Sequence, residues 1–226
     1  MRKRHRLLIT LAVMVEALVA LAGTAQAGGG YVYGASCGQT ITQDTKLTSD
    51  LHCTGDGLII GASGITLDLG GKTLKGDSND LGDIGIDNNG FDRVTIKNST
   101  VSHFWGDNVH VENARYVKFL NLKLIDPGEG DGIEADNADH LLIKHVFAAR
   151  NEDNFDIDVS NGVKILYATA KDSTSGQGFE LEDNDRMTVR RSKAINNFEH
   201  GFRLNNVDRS LFVGNLALKN GTGEEG

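Results

Sequence analysis

Proline is almost missing from this chain: Pro127 is the only one in 226 residues, against 28 glycines. A chain so free of proline can run many paired strands without losing ladder donors, and glycine supplies tight turns between them. Methionine and histidine form no cluster, which disfavours copper. The seven histidines include no HxH or HExxH pair, which excludes the zinc sites those spacings make. Basic charge is short as well, with 23 Lys and Arg against 31 Asp and Glu and a formal charge of −8. An acidic surface argues against nucleic acid and anionic membranes as partners, and fits cations, neutral glycans, or anionic glycans approached through calcium. A span needs about 20 apolar residues, and the only long apolar stretch is Leu7 to Ala22, so no membrane crossing is expected.

That stretch belongs to a secretory signal peptide over residues 1–27. Arg2, Lys3, Arg4 and Arg6 precede it, and Ala25-Gln26-Ala27 forms a small-x-small cleavage site. Its four bases and one acid leave with it, which takes the charge from −8 to −11. The expectation is one domain over 28–226, exported or at the cell surface. The only two cysteines, Cys37 and Cys53, then meet an oxidising compartment, where such a pair reads as a disulfide. Metal or redox chemistry at this pair lacks a CxxC or a histidine pair.

Two ladders of apolar–polar–apolar triplets return every 22 to 25 residues. The first is Ile86, Val109-His110-Val111, Ile133-Glu134-Ala135, Phe155-Asp156-Ile157, Phe179-Glu180-Leu181 and Phe202-Arg203-Leu204. The second runs from Val94-Thr95-Ile96 to Leu211-Phe212-Val213. A fixed period in the twenties with strand alternation means a solenoid of short strands; helical repeats need 30 or more residues and a 3.6 period. Each repeat divides into three strands and three turns, one rung of a parallel β-helix. Alternation sends Phe155, Phe179 and Phe202 inward, stacked on successive rungs about 4.8 Å apart. The bend after the second strand reads Asn98, Asn121, His145, Tyr167, Arg191, Asn215, positions that tolerate left-handed backbone and hydrogen-bond along the stack. Trp105 reads as a turn cover rather than a sugar platform.

The segments Cys37-Gly-Gln-Thr-Ile41, Leu51-His-Cys53, Gly57-Leu-Ile-Ile-Gly61 and Gly64-Ile-Thr-Leu-Asp-Leu69 resemble the opening of secreted right-handed β-helix repeat proteins of the pectin-lyase-like superfamily. The resemblance implies an all-β, right-handed, single-stranded parallel β-helix of about seven rungs of 22–25 residues. It also implies a protein that acts on or binds polysaccharide. That superfamily holds lyases, polygalacturonases, uronate epimerases and members without assigned chemistry, so fold alone does not choose among them.

Chemistry is suggested at one place, the outward positions of the first strand. One column reads His110, Glu134, Asp156, Glu180, Arg203, and the other Glu112, Asp136, Asp158, Glu182, Asn205. Asp131 and Asp153 stand just ahead of the strand on adjacent rungs. Carboxylates one rung apart repel by roughly 3–4 kcal/mol at an effective dielectric near 20, and sequences usually avoid stacking them. Three readings stay open: a solvated stripe with Glu180 paired to Arg203; a calcium site of Glu134, Asp156, Asp158, Glu180 and Glu182; or a catalytic groove of carboxyls with raised pKa values.

For the groove, the resemblance implies Asp131, Asp153, Asp156, Glu180, His200 and Arg203 as catalytic candidates. Polygalacturonases carry an aspartate before one rung, an acidic pair before the next, Gly-His-Gly on the third and a base on the fourth. Here stand Asp131-Gly132, Glu152-Asp153, Gly176-Gln177-Gly178, and His200-Gly201 with Arg203; glutamine replaces the expected histidine. A lyase would instead need Arg203 or His200 as base beside bound calcium. The non-enzymatic alternative is a glycan-binding or structural surface module using the same face. At the carboxyl end, Gly226 falls 25 residues after Gly201, where another rung would open, and no cap is visible. This fits a fragment of a longer β-helix, or an end covered by a partner. The glycan and the oligomeric state are not legible.

Overall fold

The computed structural model describes residues 30–79, 82–221 and 223. The expected signal peptide and most of the residues behind the expectation about the carboxyl end lie outside these. Among the described residues no helix is long and apolar enough to cross a membrane.

The chain coils through two parallel sheets. One has eight strands, from Gln39–Ile41 through Leu58–Ile60, Ile86–Asn89, Val109–Glu112, Ile133–Asp136, Phe155–Asp158 and Phe179–Glu182 to Phe202–Asn205. The other has fifteen, because most turns give it two strands on either side of a bend. Every paired strand is parallel and pairs with its counterpart one turn along. The coil has about eight turns rather than seven. The extra one is Gln39–Ile41, where short strands and irregular spacing hide the period.

Alternation sets the core. In the eight-stranded sheet Ile86, Val109, Ile133, Phe155 and Phe179 are fully buried, while the residue following each faces outward and is half-exposed. Phe155, Phe179 and Phe202 stack as expected, with 4.7 Å between ring centroids at both steps. Cys37 and Cys53 form the disulfide, with Cα atoms 5.5 Å apart, closing the first turn.

Left-handed backbone marks the bend at Asn98, Asn121, His145, Tyr167 and Arg191. The sixth position is Gly214, not Asn215 as its neighbours suggested. Glycine takes that conformation without strain. Asn215 instead accepts the Ser192 N–H and donates to the Val189 carbonyl, 2.9 Å each. Asn121 donates to Asn98 at 3.2 Å, as the stacking argument requires. Trp105 is half-buried with the Gly128 backbone against its indole, a turn cover.

Candidate functional site: an acidic sheet face

The eight-stranded sheet aligns Asp87, His110, Glu134, Asp156, Glu180 and Arg203 in one outward column. Beside it run Asn89, Glu112, Asp136, Asp158, Glu182 and Asn205. A histidine and an arginine stand among the acids of the first column. His110 Nδ1 lies 2.9 Å from Asp87, and its Nε2 lies 3.9 Å from Glu134. Arg203 pairs closely with Glu180 and reaches Glu182 at 3.8 Å. The second column has four stacked acids and no base within it.

The fifteen-stranded sheet provides an internal comparison. Its outward columns read Lys97, Leu120, Lys144, Leu166, Arg190 and Thr95, Lys118, Leu142, Lys164, Thr188. No base there sits directly beneath another. Where this coil only needs a solvated surface, it separates like charges by a rung; on the acidic face it stacks them. That contrast counts against the solvated-stripe reading of the acids.

A third file of acids comes from the turn ahead of the sheet. Asp107 Oδ1 accepts the Asp131 N–H at 2.7 Å, and Asp131 Oδ1 accepts the Asp153 N–H at 2.8 Å. Asp153 in turn accepts the Gln177 N–H, and Gln177 Oε1 accepts the His200 N–H at 2.8 Å. Each side chain thus ties down the turn of the next rung. Beneath them a buried asparagine ladder locks the turns from inside: Asn108 to Asn151, Asn151 to Asn154, and Asn154 to Asn197, at 2.7–3.0 Å.

The turn file and the first column converge at Asp131, Asp153 and Asp156, which bring one carboxylate oxygen each within 4.8 Å of one another. Burial, then neighbouring carboxylates, raise all three: Asp131 to about 9 and Asp156 to about 8, each with cluster mates among the repelling charges, and Asp153 to about 6, where Glu152 and Glu199 repel it. Asp153 rises least because the Gln177 N–H and the Arg203 charge favour its ionised form. A hydrogen bond with Asp107, then burial, pushes Glu134 to about 7. Burial and the Glu182 charge raise Asp158. Oδ1 of Asp156 and Oδ1 of Asp158 are buried without a hydrogen-bond partner. His110 is raised by its bond to Asp87, so the imidazolium is favoured there.

The sequence matches the right-handed β-helix region model over residues 82–224. The chain belongs to that family. No curated protein sequence matches it. The β-helix is similar to the catalytic domain of a GH87 α-1,3-glucanase in complex with nigerose, with 14% identity and a TM-score of 0.44 over 86% of this chain. It is also similar to pectate lyase Pel9A, with 16% identity and a TM-score of 0.36 over 74% of the chain. A third chain, described as a glycoside hydrolase, shares 8% identity with a TM-score of 0.33 over 76%. The β-helix spans 64%, 45% and 38% of those three chains. These likenesses carry no chemistry across.

Of the residues singled out from sequence, Asp131, Asp153 and Asp156 lie together, with Glu134 and Asp158 on adjoining positions of the same β-helix face. Glu180 is drawn toward Arg203 and Glu182 shares that guanidinium, so both face the cation rather than the three-acid cluster. His200 is exposed and joins Asp153 only through Gln177, its ring Nδ1 3.1 Å from Gln177 Oε1. Sequence reasoning missed Asp87 and Asp107. Both lie one 23- or 24-residue step before residues already singled out, so the period would have found them. The buried asparagines leave no such signal, because asparagine is common in every turn.

Proposed function

We propose that this β-helix acts on polysaccharide, with the Asp131–Asp153–Asp156 cluster as an acid–base centre for cleaving glycosidic bonds. The observation that carries this is three carboxyls with one oxygen each within 4.8 Å of one another, whose pKa values are spread over about 6, 8 and 9. Near neutral pH such a set holds a proton donor beside an ionised acceptor, the division of labour that bond cleavage by general acid and base requires. Asp156, central on the outward strand face, donates its proton to the bridging oxygen as the bond to the sugar carbon breaks. Asp153, ionised above about pH 6, accepts a proton from the water that attacks that carbon. Asp131, the most shielded, stays protonated and holds the Asp153 turn through its N–H. The outer bases, His110 and Arg203, are placed to hold polar or anionic groups of a glycan along the coil axis. The disulfide fits an oxidising, extracytoplasmic setting.

One observation favours a second reading, a calcium site. Oxygens bound to one calcium at 2.3–2.6 Å are at most about 5 Å apart, and the three acids meet that limit. Oδ1 of Asp156 and Oδ1 of Asp158, two residues apart on the same strand, are buried without a partner. Asp131, Asp153 and Asp156 would be the ligands, with Glu134 and Asp158 adjoining, and the ion would supply positive charge where the acids now repel. In that case the face binds anionic glycans through the cation, as a lyase or as a binding module.

One experiment separates these. The protein is incubated with a panel of polyuronates and neutral glycans, in EDTA or in calcium. Reducing ends released in EDTA support the acid–base reading. Unsaturated, ultraviolet-absorbing products that need calcium support the cation reading with Arg203 or His200 as base. Binding without either signal leaves the surface module and overturns the catalytic proposal.

A further inference from the structure

Charge is segregated between the two sheets. The eight-stranded sheet carries eight Asp or Glu on its strands against Arg203 and His110. The strands of the fifteen-stranded sheet carry ten Lys or Arg against a single acid, Asp68. Asp68 is taken by Lys97 at 3.6 Å and by the Asn98 side chain and Gly70 N–H. A chain with net charge −8 therefore gathers most of its strand-borne bases on one sheet, where Leu and Thr space them along each column.

One part of that face is a formed site. Arg190 and Arg191, with Leu166, Tyr167, Val213 and Gly214, line a cavity of about 260 Å³. Five other arginines, at 115, 150, 186, 203 and 209, each pair with a carboxylate. Among the described residues Arg190 and Arg191 pair with none. Arg191 is held in place instead: its guanidinium lies 5.8 Å from the Tyr167 ring centroid, and Nη1 is 3.5 Å from the Tyr167 hydroxyl. Tyr167 is in turn stacked on His145, with centroids 5.1 Å apart. Two guanidinium groups that line one cavity without a carboxylate partner, one of them held against Tyr167, suit a carboxylate or sulfate, which a planar donor fork can hold with two hydrogen bonds.

From this cavity the bases step along the coil. Arg190, Lys144 and Lys97 share one column, Lys164 and Lys118 the next, each two rungs from the last. At about 4.8 Å per rung that is one base per roughly 10 Å in each file. Duplex nucleic acid carries a charge every 1.7 Å or so, far denser than these files can neutralise. A polymer with one charge per sugar or per few sugars matches them better.

We propose that the fifteen-stranded sheet is a second binding surface, for an anionic polysaccharide bearing carboxylate or sulfate groups, anchored at Arg190 and Arg191. It lies on the sheet that does not hold the acid cluster and requires no cleavage, so it stands whether or not the acids are catalytic.

The test is retention of the full chain on immobilised polygalacturonate, heparin and neutral dextran, in excess EDTA so that the acidic face cannot bridge through calcium. The expected result is retention on one or both anionic columns, none on dextran, and elution by salt. R190Q/R191Q should weaken binding at least tenfold, and K144Q/K164Q should lower the eluting salt further. The heparin and polygalacturonate arms distinguish sulfate from carboxylate. Unchanged thermal melting of the variants shows that they fold. No retention in EDTA, or retention untouched by R190Q/R191Q, overturns the proposal. Equal or tighter binding to duplex DNA or to phosphatidylglycerol vesicles overturns the assignment to polysaccharide.

Discussion

Asp131 caps the backbone of Asp153: its Oδ1 accepts the Asp153 N–H at 2.8 Å, one rung along the coil. The Asp131 carboxyl is therefore tied to the Asp153 main chain, and the Asp153 carboxyl is tied in turn by the Gln177 N–H, so moving either away to relieve repulsion would break a turn hydrogen bond. The cluster is strained electrostatically in a way that pH should reveal.

The folded-state pKa values of Asp131, Asp156 and Asp153, about 9, 8 and 6, all exceed the ordinary 3.8. The folded chain thus holds more protons than the unfolded chain between those limits. Their contribution to stability is fully present below about pH 4 and is lost as pH rises through 6, 8 and 9. His110, also raised, acts in the same direction above its ordinary 6.5. Asp68, Asp126 and Asp172, held low by their partners, act oppositely and lose stability only at strongly acid pH. In EDTA, melting temperature should be higher near pH 5 than near pH 8. Asp131→Asn, which keeps the acceptor oxygen for the Asp153 N–H, should flatten the alkaline limb. A melting temperature that climbs from pH 5 to 8 would refute the charge crowding.

How far sequence reaches is visible in particular residues. The Phe155–Phe179–Phe202 stack and the outward acids between them were legible because alternation and period fix both face and register. The convergence of Asp131 and Asp153 on Asp156 was not, since nothing in the spacing says that a turn carboxylate will cap the next rung and so be held over the strand. Gly214 shows the limit at the bend: with a repeat that varies between 22 and 25 residues, a one-residue ambiguity between neighbouring small or polar residues is unavoidable.

The phenylalanine column tests the core. Phe179 is fully buried between two rings, so Phe179→Ala should cost about 3–5 kcal/mol in denaturant unfolding. Phe202 has a ring on one side only and is partly exposed on the last turn of the eight-stranded sheet, so Phe202→Ala should cost clearly less. Equal losses would mean that the last turn is as tightly enclosed as the interior.

The Cys37–Cys53 bridge closes a separation of 16 residues at the first turn. On the chain-entropy estimate, Cys37→Ser with Cys53→Ser should lower stability by about 3 kcal/mol. Alkylation of the unreduced wild-type protein should add no mass; two labelled thiols would rule the bridge out.

The acid cluster decides between the two functional readings, and Asp156 is the residue on which they differ most. If it is the proton donor, Asp156→Asn should reduce cleavage of the best polysaccharide substrate by about a hundredfold or more, in EDTA as in calcium. Above about pH 8, where Asp156 is ionised, the same change removes one charge from the most crowded point, so the calcium-free variant should melt higher than wild type there. If instead the cluster binds calcium, wild type should gain melting temperature in calcium over sodium at matched ionic strength, because ligand binding to the folded state stabilises it by mass action. Asp153→Asn with Asp156→Asn should then abolish that gain, while Glu180→Gln, whose carboxylate already faces Arg203, should leave most of it. A variant pair that neither loses cleavage nor loses a calcium response would return these acids to a purely structural role.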